Sequence, residues 1–166
     1  APGFLEKLVD FEKEIAVIVA RNPAGEVKSF PAVEMAFHPE ANLVEYLFSP
    51  AQISAAVAEE ADRIARQVIE ALGMVGLLAV EMFVTRNQQV LVNEIAPRPH
   101  NSGHHTIEAN ITSQYEQHLR AILDLPLGDT SIKIPGAMVN LLGEEGYSGP
   151  ARYEGLEAVL QVPGAH

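Results

Sequence analysis

Residues 77–96 read LLAVEMFVTRNQQVLVNEIA, two apolar, β-branched runs (77–85 and 90–96) on either side of the polar tetrad Arg86-Asn87-Gln88-Gln89. That is the pattern of a β-hairpin whose strands are buried on both faces. A turn centred between Asn87 and Gln88 sets Glu81 directly opposite Glu94. Opposed side chains of an antiparallel pair lie about 5 Å apart, where like charges destabilise each other. Phe83, Val90 and Val92 are expected on the same face, so water screens the two carboxylates poorly. Two arrangements relieve the conflict: a divalent cation between them, or one carboxyl that keeps its proton as in an acid/base dyad. Oxygen-only ligation favours magnesium, which completes its shell with water and substrate phosphate. Asn93 offers a further neutral oxygen. The bland alternatives are a register slip of one residue, or an Arg that neutralises one Glu in a structural ion pair.

The strand carrying Glu94 runs without slack into the loop 96–106, Ala-Pro-Arg-Pro-His-Asn-Ser-Gly-His-His-Thr. Its polar groups therefore emerge beside the carboxylates. The forked Arg98 suits a planar oxyanion, and His100, Asn101 and Ser102 can donate hydrogen bonds to the same ligand. Pro97 and Pro99 stiffen the loop and reduce the entropy lost when those donors are aligned. His100, His104 and His105 form an alternative zinc set, but that spacing works best on a helix, and Pro99 and Gly103 break one here.

Outward from this centre, residues 14–20 (EIAVIVA) and 26–33 read as an earlier hairpin around the turn Asn22-Pro23-Ala24-Gly25. Ser49-Pro50 reads as a cap and first position of a helix over 50–72, with Ile53, Val57, Ala61, Ile64, Val68 and Leu72 on one face and Gly73 as its stop. Ser113 with Glu116 is a capping-box pair for a helix whose face is Tyr115, Leu119, Ile122 and Leu123, ended by Pro126. Residues 137–142 and 156–162 read as strands of a small β-rich appendage. The expected class is α+β, with a first unit over 1–126 and a partial second one over 127–166.

Eleven Lys and Arg against 22 Asp and Glu leave a net charge of −11, which repels nucleic-acid phosphates. No nucleic-acid partner is expected. The uncharged stretch 71–80 stops at Glu81, short of the roughly 20 residues a membrane span needs, so no membrane partner is expected either. The absence of cysteine excludes disulfides, thiolate zinc sites and thiol nucleophiles. The opening APGFLEKLVDFEKE lacks a basic-then-apolar leader, so a cytoplasmic location is expected. Neither Gly-x-x-x-x-Gly-Lys-Ser/Thr nor Gly-x-Gly-x-x-Gly occurs.

Glu81 together with NEIAPRPHNSGH at 93–104 resembles the ATP-grasp superfamily and, within it, the carboxyaminoimidazole ribonucleotide synthetase family of purine biosynthesis. FEKEIAVIVAR at 11–21 resembles an earlier strand of the same family, and the likeness covers essentially the whole chain. The resemblance implies an ATP-grasp lobe with an antiparallel sheet and packed helices. It implies that Glu6, Lys7, Leu8 and Val9 hold the adenine, that Glu14 meets the ribose and that His38 lines the nucleotide site. Glu81 and Glu94 would bind magnesium, or manganese in its place, with Asn93 assisting, and Arg98, His100 and Asn101 would hold bicarbonate and the carboxyphosphate made from it. ATP, bicarbonate and aminoimidazole ribonucleotide are the implied substrates, and a homodimer the implied assembly. Members of the family are about twice this long. The chain is therefore expected to be a carboxy-terminal portion, inactive alone, without the amino-terminal substrate domain, the glycine-rich loop lobe and the basic segment that follows the last strand. Other readings are a sister ligase, such as the formate-using glycinamide ribonucleotide transformylase or a biotin carboxylase, and a non-catalytic module whose acidic surface docks a basic partner.

Overall fold

The computed structural model describes residues 3, 5–37, 44–143, 146–150 and 152–166. Its centre is strand β1 (Phe11–Arg21), whose β-branched run pairs antiparallel along its full length with β5 (Gly76–Thr85), from Arg21↔Gly76 to Phe11↔Thr85. On its other side β1 meets β2 (Val27–Ser29) and then β3 (Val33–Phe37). The single expected strand over 26–33 is thus two short ones. Phe30 N–H still reaches Ile18 O at 2.7 Å, but Pro31 has no N–H to continue the ladder. The turn before β2 forms as expected: Asn22 Oδ1 accepts Glu26 N–H at 2.8 Å, and Gly25 takes a φ of +88°.

Strands β4 (Val44–Ser49), β6 (Val90–Ala96) and β7 (Gly136–Val139) complete a seven-stranded sheet in the order β6-β5-β1-β3-β4-β7, with β2 beside β1. All its pairings are antiparallel. The chain is mixed α+β with few helices. Strand β5 is buried on both faces as far as Met82, whereas β6 is an edge strand, exposed from Leu91 to Ile95, so only half of the hairpin is buried in the way its apolar sequence suggests.

One sheet face carries α1 (Ala55–Ala71). Val57, Ala61, Ala65 and Ile69 of this helix close over Ile15, Val17, Val19, Leu78, Val80, Met82 and Val84. The helix starts later than the expected residue 50, because Ser49 belongs to β4, paired with Gly136, and the cap is Ser54, whose Oγ accepts Val57 N–H at 3.3 Å. Gly73, at φ +57°, ends it as expected, donating to Glu70 O at 2.9 Å.

The opposite face holds Ile18, Ala20, Phe30, Leu77, Ala79 and Ala96 under α3 (Gln114–Ile122), which follows the one-turn α2 (Thr106–Ala109). Helix α3 reverses the expected orientation. Tyr115, Leu119, Ile122 and Leu123 are exposed, and the buried face is Gln114, Gln117 and Ala121. Its capping box is half made: Ser113 Oγ accepts Glu116 N–H at 3.2 Å, but the Glu116 carboxylate turns to Arg120 at 2.6 Å. The run expected to be a strand over 156–162 is instead the exposed helix α4 (Leu156–Leu160), preceded by Gly155 at φ +76°. Among the described residues beyond 126 the only strand is β7, which joins the main sheet, so the segment is not a β-rich unit. No helix of the described residues is long and apolar enough to cross a membrane.

Candidate active site

Residues opposite one another in a ladder share a face, so the pairs Ala16↔Glu81, Glu14↔Phe83 and Glu81↔Glu94 put Glu14, Glu81 and Glu94 on the α3 side of the sheet, from three adjacent strands. The expected pairing of Glu81 with Glu94 is present, but by a different route. Near the turn the register is Val84↔Val90, Phe83↔Leu91 and Met82↔Val92, one residue off a turn centred between Asn87 and Gln88. Continued unchanged, it would face Glu81 with Asn93. A β-bulge there inserts one extra residue and restores Glu81↔Glu94. Asn93 and Glu94 thus jointly oppose one glutamate, which brings a neutral and a charged oxygen donor to the same place.

The two carboxyls are unequal. Glu81 is 9% exposed, while Glu94 stands on the exposed edge strand, so only one of the pair is shielded from water. Burial pushes the Glu81 carboxyl up from 4.5 to about 7, helped by the charges of Glu94 and Glu14 and opposed by Arg98. Burial also raises Glu14. Among the described residues no Lys or Arg pairs with Glu14, Glu81 or Glu94, which removes the structural ion pair as the answer to this repulsion. Oxygen donors that crowd negative charge with no Lys or Arg paired to them suit a hard divalent ion. No third His, Asp or Glu completes a metal cluster among the described residues. Such an ion would therefore draw its remaining ligands from water and substrate.

After Ala96 the loop turns back across this face. His100 Nε2 lies 3.3 Å from Glu81 Oε1. Its Nδ1 receives the Ser102 backbone N–H at 3.3 Å and lies 2.9 Å from Ser102 Oγ. A backbone N–H can only donate, so the ring proton is assigned to Nε2, beside the carboxyl. Burial, with the charges of Arg98 and His104, holds the imidazole pKa below its usual value. The contact is therefore a neutral N–H against a carboxyl oxygen rather than an ion pair. Arg98 is exposed, with Nη1 donating to Pro99 O at 3.1 Å, and Asn101 keeps a buried Oδ1 that has no partner among the described residues.

Other expected residues fall differently. Ser102 is fully buried and serves His100, so it is not a free ligand donor. The three histidines do not converge: His104 is exposed and stacks on Tyr115 at 6.2 Å, and His105 is buried, its pKa held down near 4 by desolvation. Glu6, Lys7, Leu8 and Val9 approach β1 without regular structure, Leu8 being 91% exposed. His38 lies outside the described residues. Two features went unread in the sequence. Phe11 and Phe83 stack at 4.5 Å beside Glu14, and Gln114 grips the loop from beneath. The alternation of β5 could have shown the first, whereas a glutamine on a polar helix face gives no sign that it is buried.

This assembly of an antiparallel sheet, a carboxylate pair on the adjacent strands β5 and β6 at one edge and a polar loop beside them is that of an ATP-grasp domain. The ATP-grasp domain family matches residues 1–115, and the chain belongs to it. It is 47% identical over 141 residues to the N5-carboxyaminoimidazole ribonucleotide synthase of Bacillus subtilis, covering 85% of this chain and 37% of that protein. The crystal structure of N5-carboxyaminoimidazole ribonucleotide synthetase from Thermotoga maritima superposes with a TM-score of 0.86 at 53% identity, over 93% of this chain and 41% of that one. The Aspergillus clavatus synthase, solved with ADP and 5-aminoimidazole ribonucleotide, superposes with a TM-score of 0.78 at 39% identity, over 84% of this chain and 37% of that one. The chain thus spans about two fifths of the length of these relatives.

Proposed function

We propose that the chain is the carboxy-terminal part of an N5-carboxyaminoimidazole ribonucleotide synthase, an ATP-grasp ligase that carboxylates 5-aminoimidazole ribonucleotide in purine biosynthesis. The observation that carries this reading is the Glu81–Glu94 pair made by the Asn93 bulge, with Arg98, His100 and Asn101 delivered beside it on one stiff loop. In the proposed reaction a bicarbonate oxygen attacks the γ-phosphorus of ATP, and the bond to the β-γ bridging oxygen breaks to release ADP. The exocyclic amine of the ribonucleotide then takes the carboxyl group of carboxyphosphate, losing a proton as phosphate leaves.

Phosphoryl transfer asks a protein mainly for positioning and for charge to offset the phosphates. Glu81 and Glu94, with Asn93, would hold magnesium, or manganese in its place, and the ion would supply positive charge to offset that of the phosphates. Arg98 would clamp the planar bicarbonate and later carboxyphosphate. His100, fixed in the tautomer that carries its proton on Nε2, and the unpartnered Asn101 Oδ1 complete the same pocket, the latter as an acceptor for an O–H or an amine N–H. Glu14 would accept from the ribose, Glu6, Lys7, Leu8 and Val9 would hold the adenine, and His38 would line the nucleotide site. The boundary at 126/127 would mark only the end of the stretch that carries the site residues, since β7 joins the same sheet; a homodimer is the expected assembly, and the location is taken as cytoplasmic.

The deciding experiment is ADP release by the full-length protein with MgATP and bicarbonate, with and without aminoimidazole ribonucleotide. Strong stimulation by the ribonucleotide, lost on Arg98→Ala, is expected. ADP formation indifferent to the ribonucleotide would keep the ATP-grasp chemistry and replace the acceptor, and no ADP at all would favour a binding module.

A further inference from the structure

His100 sits between two prolines and a tight turn, in extended backbone at φ −128° and ψ 153°, and pairs with no strand among the described residues. Its backbone is nevertheless fully bonded. Its N–H donates to Gln114 Oε1 at 2.9 Å, and its C=O accepts from Gln114 Nε2 at 2.7 Å. One side-chain amide thus performs for His100 what an opposing residue performs in a hydrogen-bonded β-pair, where both groups are exchanged. Gln114 is fully buried, and its own N–H donates to Thr106 Oγ1 at 2.8 Å, while that hydroxyl donates to Gly103 O at 2.6 Å. The loop and the first turn of α3 are therefore joined at three places. Gly103 is required by the fit: a Cβ there would lie 2.3 Å from Ile18 Cδ1 and 2.6 Å from Gln114 Cδ.

We infer that Gln114 is a positioning residue for the bicarbonate step, holding the backbone from which the His100 ring reaches Glu81 and along which Arg98 and Asn101 are spaced. The inference rests on the ligase reading above. Gln114 itself touches no substrate; it acts through His100. An amide is needed because the clamp uses one acceptor and one donor at once. Asn is too short for the same reach, an ionised Glu can only accept, and Met fills the space with neither.

The molecule contains its own control. Gln117, one turn on in the same helix and equally buried, makes the same two-bond clamp on Gly128, accepting its N–H at 2.7 Å and donating to its C=O at 3.2 Å, away from the carboxylates. Steady-state kinetics of the full-length Gln114→Met and Gln117→Met variants separate positioning from mere support. Gln114→Met is expected to raise the bicarbonate KM about tenfold and to increase ADP released per carboxylated product, because loosely held carboxyphosphate hydrolyses, with the MgATP KM within about twofold of wild type. Gln117→Met should lower the melting temperature comparably and leave both quantities unchanged. Gln114→Glu, which retains the acceptor for His100 N–H, should fall between wild type and Met, and it replaces Gln114→Met if that variant does not fold. Equal effects of the two Met variants, or no change in bicarbonate KM and coupling in the folded Gln114 variants, would overturn the inference while the ligase reading stood. A wild-type enzyme without bicarbonate-dependent ADP release would instead strike the ligase reading itself.

Discussion

The two faces of the sheet are closed by opposite means. On one, α1 lays an apolar stripe over an apolar sheet, and the charged residues of the helix, among them Arg63 with Glu60 and Arg66 with Asp62, pair with one another on its more exposed flank. On the other, α3 turns two glutamines inward, spends their amides on His100 and Gly128, and leaves Leu119 and Ile122 in the open. Hydrophobic closure is non-directional and tolerates small shifts of the partners. Amide clamps are directional, and a loop held by them keeps its donors in one place. The sheet thus has a side that supplies stability and a side that supplies position.

The largest test of that division is Ile69→Ala on the apolar side. It removes a side chain with no exposure from the α1 core and should cost about 2–5 kcal/mol in unfolding free energy. An indifferent Ile69→Ala would end the contrast. On the other side, Glu81 supplies a pH signature. Its carboxyl binds a proton more tightly in the fold than in the unfolded chain, at about 7 against 4.5. Without metal, stability is therefore greatest below the lower value and falls as pH rises through that window. Allowing for solvent screening, the fall should be on the order of 1–2 kcal/mol. Thermal melting of the full-length protein across that range in chelator should show it, magnesium should recover it, and Glu81→Gln should abolish both effects. The smallest effect is expected at Leu119→Ser, on the outward stripe of α3, within about 0.5 kcal/mol. A loss as large as that of Ile69→Ala would show that another surface of the full-length protein covers this stripe, and would make α3 apolar on both sides.

What could be read ahead of the structure follows from how local each signal is. The paired carboxylates were legible because like charges on an apolar hairpin demand an explanation, and the loop because its prolines forbid a helix. The register was legible only by compensation: the turn is one residue off the symmetric expectation, and the Asn93 bulge cancels the error just where Glu94 needs it. Ser49-Pro50 looks like a cap in isolation, but its strand pairing to Gly136 has the prior claim. The run 156–162 misled because a short apolar stretch has no period of its own, and its Leu, Glu and Ala are good helix formers.

By itself the sequence determined the strand-rich centre, the presence of α1 though not its full buried face, which runs through Ala65 and Ile69 and leaves Leu72 exposed, the carboxylate pair and the family likeness carried by NEIAPRPHNSGH, since each depends on neighbours within a few residues or on one hairpin. Only the tertiary structure decided which carboxyl is buried, which nitrogen of His100 carries the proton, and that two glutamines on a polar helix face lie inside. Desolvation and directional hydrogen bonds depend on what the rest of the chain brings alongside, and no local pattern encodes that.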